Sequence, residues 1–124
     1  IFLTMTGNDK LWGTPEFMTH GGHLTAEALL WVLDQGVKTV GTDSWSFDRA
    51  YEWWSKDYKE NGYDPKYLWP CHLACIKKEY AHLEKLANLD KVPPFGWTLC
   101  AFPIKFFKGT AGFVRAVAFL EDDK

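Results

Sequence analysis

A histidine and a glutamate stand twelve positions apart in the middle of the chain, inside a segment that is otherwise largely apolar. Residues 71–90 read CHLACIKKEYAHLEKLANLD, and the pair is His72 and Glu84. Leucines at positions 83 and 86 flank the glutamate, which predicts a buried carboxylate. A buried carboxylate stays charged only beside a metal ion or another cation, so the pair predicts a functional site.

Two short elements are expected to position this pair. Residues 71–78 combine apolar positions with a Lys-Lys-Glu ending, which is typical of a short helix with cations at its C-terminal end and places His72 in the first turn. Residues 80–84 contain no glycine or proline, and a strand there would set Tyr80, His82 and Glu84 on one face. His82 is therefore a candidate for a supporting or structural residue beside the pair.

The first half of the chain carries the signals of an α/β unit. Thr25 suits the N-cap of a helix over residues 26–35, Gly36 suits its C-terminal end, and residues 37–40 are typical of a short buried strand. Further strands are expected at residues 1–6, 97–107 and 113–120, and residues 47–69 predict an aromatic, charged surface segment with a possible helix. The pattern predicts an α/β (α+β) fold.

Two polar residues follow the buried strand, where sites are commonly built in α/β folds. Asp43 and Ser46 are interpreted either as site members or as a pair that caps the turn, and the sequence leaves both readings open. Arg115 lies inside an apolar strand, so it needs a partner: an ion pair with a carboxylate is the simpler explanation, and substrate contact is the other.

Two other groups of residues are candidate metal ligands. His20 and His23 flank a Gly-Gly pair, but neither a carboxylate nor a cysteine supports them nearby. Cys71 and Cys75 lie four apart on the expected helix, where a soft-metal site competes with the simpler reading of small buried residues.

Four strings, in their order and spacing, carry a resemblance to a known family. They are LTMTGNDKLWGTPEF, LTAEALLWVLDQGVKTVGTDSWSFD, HLACIKKEYAHLEKLANLD and AFPIKFFKGTAGFVRAVAFL. The strongest of these features is the His72 to Glu84 interval followed by Leu-Ala-Asn-Leu-Asp. Through them the chain resembles the cyclase-like metal-dependent hydrolases. This family includes bacterial kynurenine formamidases, isatin hydrolases and trans-dienelactone hydrolases.

The resemblance implies a fold, a metal and a reaction. The fold would be a swivelling β/β/α-type mixed sheet with flanking helices, and His72 and Glu84 would be catalytic residues that bind a divalent ion, zinc or manganese. The reaction would be hydrolysis of an amide, N-formyl or lactone carbonyl of a small cyclic or aromatic substrate. A non-catalytic half-subunit or binding and assembly module of the same fold is the alternative.

The family's H-x-G-T-H-x-D-x-P signature is absent from this sequence. The chain is therefore expected to correspond to the C-terminal half of such a protein, with residues 1–124 as one domain. Since zinc typically takes three or four protein ligands and the pair supplies two, a second polypeptide or a homo-oligomer is expected to supply the others.

Composition limits the remaining function classes. Fourteen basic residues against sixteen acidic ones leave no electrostatic footprint for nucleic acid or for an anionic membrane, and no apolar run is long enough to span a bilayer. Three cysteines without a framework spacing favour a reducing, cytoplasmic location. Aromatic residues make up 17% of the chain, more than one small core needs, so some are expected to cover a pocket or a partner surface.

Overall fold

The computed structural model describes residues 1–120, and the last four residues, expected to form a solvated tail, lie outside the described residues. Two compact units divide the chain, one over residues 1–87 and a second that begins at Asn88. That they belong to one domain stays a prediction. None of the helices in the described part of the chain is long and apolar enough to cross a membrane.

The first unit is built on a sheet of three parallel strands in the order β1-β2-β3. The strands are β1 (Phe2–Thr4), β2 (Thr39–Thr42) and β3 (Ala81–Leu83). The helices of this unit are α1 (Glu16–Thr19), α2 (Ala26–Asp34) and α3 (Tyr51–Glu60). The mixed α/β class predicted from the sequence is therefore confirmed.

Helix α2 forms where its capping residues predict. The Thr25 hydroxyl accepts a hydrogen bond from the Ala28 N–H at 3.1 Å, and Gly36 takes a left-handed φ of 89° after the last turn. Leu29 and Leu33 are fully buried on one side of the helix. They pack in one core cluster with other buried residues of the unit, namely Val32, Val40, Phe47, Cys71 and Ala74.

Several elements differ from their predicted bounds, among them β1, which was expected over residues 1–6. Strand β2 begins two residues later than expected and continues through Gly41 and Thr42, because these residues pair with Leu3 and Thr4 of β1. The short helix expected over residues 71–78 is a 3₁₀ helix over His72–Ile76. A segment of five residues has room for few i→i−4 hydrogen bonds, and the tighter 3₁₀ turn is the usual form at that length.

The second unit is a two-stranded antiparallel hairpin of β4 (Trp97–Pro103) and β5 (Val114–Leu120), in register from Trp97 opposite Leu120 to Pro103 opposite Val114. Strand β4 was predicted to reach residue 107, but it ends at Pro103. Pro103, expected to mark an edge or a bulge, is the last paired residue of the strand, and one further backbone hydrogen bond follows it, from the Ile104 N–H to the Phe113 carbonyl at 3.0 Å.

Candidate metal centre

The candidate site lies where the parallel strands of the first unit end. Glu84 follows the last residue of β3, and His82 lies within that strand. His72 is the first residue of the 3₁₀ helix. Its Nε2 lies 3.5 Å from Glu84 Oε1, and His82 Nε2 lies 4.0 Å from the same oxygen. One ligand atom from each of the three residues fits within 4.8 Å of the other two, so the expected pair becomes a group of three.

Asp48 fixes the ring of His72. Its Oδ2 lies 2.5 Å from His72 Nδ1, and its carboxylate also accepts the backbone N–H groups of Cys71 at 2.7 Å and His72 at 3.2 Å. Burial alone would raise the pKa of Asp48, but the hydrogen bonds from the His72 ring and from these two N–H groups outweigh burial and hold the pKa below its ordinary value. The charged carboxylate therefore keeps a proton on Nδ1 and leaves Nε2 facing Glu84.

The contact with Asp48 also shifts the pKa of His72. The hydrogen bond to Asp48 raises the pKa of His72, and the charge of Glu84 adds to the effect, while partial burial opposes it. An imidazole oriented by a carboxylate through one nitrogen and free at the other is the usual arrangement of a metal-binding histidine.

Glu84 is held by its neighbours on both carboxylate oxygens. Oε1 accepts the Phe47 N–H at 3.1 Å and the Ser46 hydroxyl at 3.2 Å, and Oε2 lies 3.3 Å from the ammonium group of Lys85. The sequence predicted a buried carboxylate beside a cation. The Glu84 side chain is 18% exposed, and Lys85 is a cation that lies beside it.

His82 occupies the predicted face of β3. Its ring stacks on Phe47 at 5.5 Å between centroids and meets the His72 ring edge-on at 4.6 Å. Burial lowers the pKa of His82, with the charge of Glu84 acting in the opposite direction. A neutral imidazole at neutral pH can donate a lone pair, so this residue, expected to have a supporting role, has the position of a third ligand.

The donor set fits a divalent metal. Two imidazoles and one carboxylate suit zinc, and the carboxylate also suits manganese. Three protein ligands are the number found in catalytic zinc sites that keep a position for water or substrate. Asp48 supplies the outer contact that such a site requires.

Asp43 lies outside this group. Its carboxylate accepts the Thr6 N–H at 2.8 Å, the Thr6 hydroxyl at 2.7 Å and the Gly7 N–H at 2.7 Å, and it is 1% exposed. Of the two readings left open by the sequence, these contacts favour the structural one, in which Asp43 ties the end of β1 to the end of β2. Ser46 differs, since it contacts Glu84 directly.

The other candidates lie outside the group of His72, His82 and Glu84. Arg115 is exposed on β5 in the second unit, so the burial that required a partner is not found. His20 is exposed and its Nδ1 lies 3.0 Å from the Thr19 hydroxyl, and His23 is also exposed. Cys71 is fully buried and Cys75 is exposed, so the two do not form a buried pair, and all three cysteines are free.

Two residues of the site were missed by the sequence reasoning. Asp48 stands 24 positions before His72 in a polar turn, and only its place at the end of the string GTDSWSFD could have indicated it. No pattern in the sequence distinguishes Lys85 from a surface lysine. Its backbone has a left-handed φ of 61°, which is uncommon outside glycine, asparagine and aspartate.

A cleft of about 70 Å³ lies next to the site within the first unit. It shares Ser46 and Asp48 with the site, and its lining also includes Trp45, Trp53 and the 20–23 loop with His20 and His23. An aromatic wall beside polar groups is common in small-molecule sites.

Comparisons with known proteins show what this chain is similar to. The Cyclase family model matches residues 1–49, which include Asp43, Ser46 and Asp48. A kynurenine formamidase of Erythrobacter litoralis (strain HTCC2594) is 35% identical over 94 residues, which are 76% of this chain and 37% of that protein. The chain thus spans well under half the length of this relative.

A crystal structure of an isatin hydrolase bound to the product analogue thioisatinate shares the fold. Its TM-score with this chain is 0.69 at 25% sequence identity, and the match covers 94% of this chain and 44% of that one. The family model, the formamidase relative and the shared fold are partial matches, and together they show that the chain is similar to the cyclase-like family.

Proposed function

We propose that this chain contributes the metal site of a hydrolase that cleaves an amide, N-formyl or lactone carbonyl in a small cyclic or aromatic molecule. The observation that carries the proposal is the convergence of His72, His82 and Glu84 at the carboxyl edge of the parallel sheet. The formamidase relative and the isatin hydrolase fold support the reaction class.

His72, through Nε2, His82 and Glu84 would hold a zinc or manganese ion. When bound, such an ion polarises a carbonyl group and lowers the pKa of water toward neutrality. The chain's own contribution is orientation: Asp48 keeps the proton of His72 on Nδ1, and Phe47 and Ser46 hold Oε1 of Glu84. The indoles of Trp45 and Trp53 in the adjacent cleft support a planar, cyclic substrate.

A partner belongs to the same proposal. Since the chain spans 44% of the isatin hydrolase chain and 37% of the formamidase, the rest of a complete active site would come from a further polypeptide segment or from a second copy. No nucleic acid or membrane partner is included, and the free cysteines favour a reducing, cytoplasmic compartment.

The test has two separate measurements. Metal binding to the purified chain is followed by titration with zinc and with manganese, and hydrolysis is assayed with isatin and with N-formyl aromatic amines, in the chain alone and in its complex with any co-purifying polypeptide. We expect stoichiometric zinc binding that is lost in Glu84→Gln. The absence of zinc binding in the chain and in its complex would refute the proposal.

The alternative is a non-catalytic binding or assembly module of the same fold. Exposed aromatic side chains on the hairpin favour it, with Phe102 82% exposed and Phe119 58% exposed. Zinc binding without hydrolysis in the complete assembly would select this alternative.

A further inference from the structure

Lys85 is a cation fixed beside the metal centre by an unusual backbone conformation. It follows Glu84 directly and has φ 61°. Its N–H donates to the Ser44 carbonyl at 3.0 Å, and the next N–H, of Leu86, donates to the Thr42 carbonyl at 2.9 Å. These two bonds tie the left-handed turn to the end of β2. Non-glycine residues held in such conformations cluster at functional sites.

The side chain of Lys85 is held by two contacts. The ammonium nitrogen lies 3.3 Å from Glu84 Oε2 and 4.4 Å from the centroid of the Trp45 ring. An ammonium group has three N–H donors, and Glu84 takes one of them. The side chain is 32% exposed, so solvent or a ligand can reach the other donors.

The charges of the site favour an anion once a metal is bound. Asp48 and Glu84 are two carboxylates, Lys85 is one cation, and imidazoles that bind a metal ion are neutral. Adding a divalent ion leaves one positive charge in excess. With the indole of Trp45 under the ammonium group, a planar ring that carries a negative group would contact both residues.

We propose that Lys85 is a specificity-determining residue that binds an anionic group, such as a carboxylate, of the substrate or product, while Trp45 contacts the ring of that molecule. This proposal rests on the proposed function. The assignment narrows the substrate class from cyclic or aromatic molecules to those with a negative charge near the cleaved bond. Lys85 forms the subsite together with the metal centre, and the hydrogen bond to Glu84 keeps it in place until the anion arrives.

The experiment compares two probes of one shape and different charge, benzoate and benzamide, on the zinc-loaded full chain. Dissociation constants are measured by titration calorimetry for the wild type, Lys85→Gln, Lys85→Arg and Lys108→Gln. Lys108 is the matched control, since it also has a left-handed φ, of 57°, and lies in the second unit. Zinc affinity is measured separately for each variant.

We expect the contact with Lys85 to tighten the binding of benzoate relative to benzamide by up to about fivefold, the size of a partly exposed charge contact. Lys85→Gln should reduce the preference for benzoate by this factor, whereas Lys85→Arg and Lys108→Gln should keep it. Direct binding of benzoate to zinc is the same in all variants, so the change in the ratio isolates the lysine.

Three results would overturn the assignment. An unchanged ratio in Lys85→Gln with normal zinc affinity refutes the subsite while leaving the metal centre in place. A fall in zinc affinity with an unchanged ratio shows that Lys85 only holds Glu84. Failure of the wild type to bind zinc, both alone and in its complex with any co-purifying polypeptide, refutes both the proposed function and the subsite that rests on it.

Discussion

Asp48 holds His72 by a 2.5 Å contact between Oδ2 and Nδ1, and this contact sets which nitrogen of the ring faces Glu84. We expect Asp48→Asn to lower zinc affinity by about tenfold to a hundredfold, the range typical for outer contacts of metal ligands. The amide can present its NH₂ group to Nδ1 and thereby select the wrong tautomer. Zinc affinity is read by competition with a chelating dye.

Asp43→Asn is the matched control for this variant. Asp43 is a buried carboxylate five positions earlier and accepts backbone N–H groups, as Asp48 does, but its hydrogen bonds go to Thr6 and Gly7. The Asp43→Asn variant should have a lower melting temperature than the wild type, without a selective loss of zinc affinity. Equal zinc affinities in the two variants would show that the Asp48 contact is structural only.

Glu84→Gln should remove zinc binding while the fold is retained. The change keeps the side-chain volume and removes the negative charge that attracts both the metal ion and the ammonium group of Lys85. Circular dichroism reports the fold, and calorimetry reports zinc. Glu79→Gln, the same chemical change at an exposed residue, is the control and should behave as the wild type. Normal zinc binding in Glu84→Gln would exclude this residue as a ligand.

The parts of this site differ in how visible they are in the sequence. His72 and Glu84 belong to one local segment, so their spacing and apolar surroundings predicted that they would meet. Asp48 reaches His72 only because a turn after β2 folds back onto the start of the 3₁₀ helix, and such a long-range contact has no local pattern. The same limit applies to Asp43, whose partners lie 36 and 37 positions away.

The fold shows the same distinction. Helix α2 was predicted within one residue of its observed end because capping and periodicity are local properties. The bounds of β2 and β4 depend on their partners: parallel pairing with β1 extends β2 through Thr42, and antiparallel pairing with β5 sets the extent of β4. Whether Lys85 adopts a left-handed φ depends on hydrogen bonds to the neighbouring strand, which the sequence does not display.

The cysteines should differ strongly in reactivity. Cys71 is fully buried, its thiol donates to the Leu24 carbonyl at 3.1 Å, and burial next to the Asp48 charge raises its pKa to about 12. Cys75, one turn later, is exposed. Under native conditions at pH 8 we expect iodoacetamide to modify Cys75 and spare Cys71, because the thiolate is the reactive form.

Peptide mass mapping before and after denaturation measures this difference. Denaturation supplies the control, since both thiols should then react at similar rates. Rapid native labelling of Cys71 would mean that the segment between Asp48 and His72 opens readily, which contradicts a rigidly held His72.

Gly41→Ala should destabilise the central strand of the sheet. A Cβ at this position would lie 2.5 Å from Leu3 Cδ2 and 2.9 Å from Leu86 Cδ1, closer than real contacts allow. The expected loss in free energy of unfolding is about 1–3 kcal/mol, the usual range for overpacking. Urea titration followed by tryptophan fluorescence measures it.

The double variant of Leu3→Ala with Gly41→Ala tests whether the contact with Leu3 causes the loss of stability in Gly41→Ala. Leu3→Ala removes one of the two clashing methyl groups, so the double variant should lose less stability than the sum of the single variants. Simple additivity would place the strain of Gly41→Ala somewhere other than the contact with Leu3.

The last prediction concerns the hairpin of β4 and β5, where one face bears exposed apolar side chains. The register sets Phe102 opposite Arg115, Val117 opposite Cys100 and Phe119 opposite Thr98 on that face, and Phe102, Val117 and Phe119 are 82%, 42% and 58% exposed. An isolated two-stranded hairpin is marginal in water, and an apolar face of this kind favours association. We therefore expect sedimentation to show self-association of the chain, or a stable complex with a second polypeptide.

The double variant Phe102→Ser and Phe119→Ser should shift the chain toward monomer, because it removes the two largest apolar side chains of the face while the strand pairing is kept. Trp31→Ser is the control: this indole on α2 is 64% exposed but lies in the first unit, so its loss should leave association unchanged. A wild-type chain that sediments as a compact monomer with one cooperative melting transition would contradict the prediction. An equal effect of Trp31→Ser would mean that association depends on exposed aromatic residues in general, rather than on this face of the hairpin.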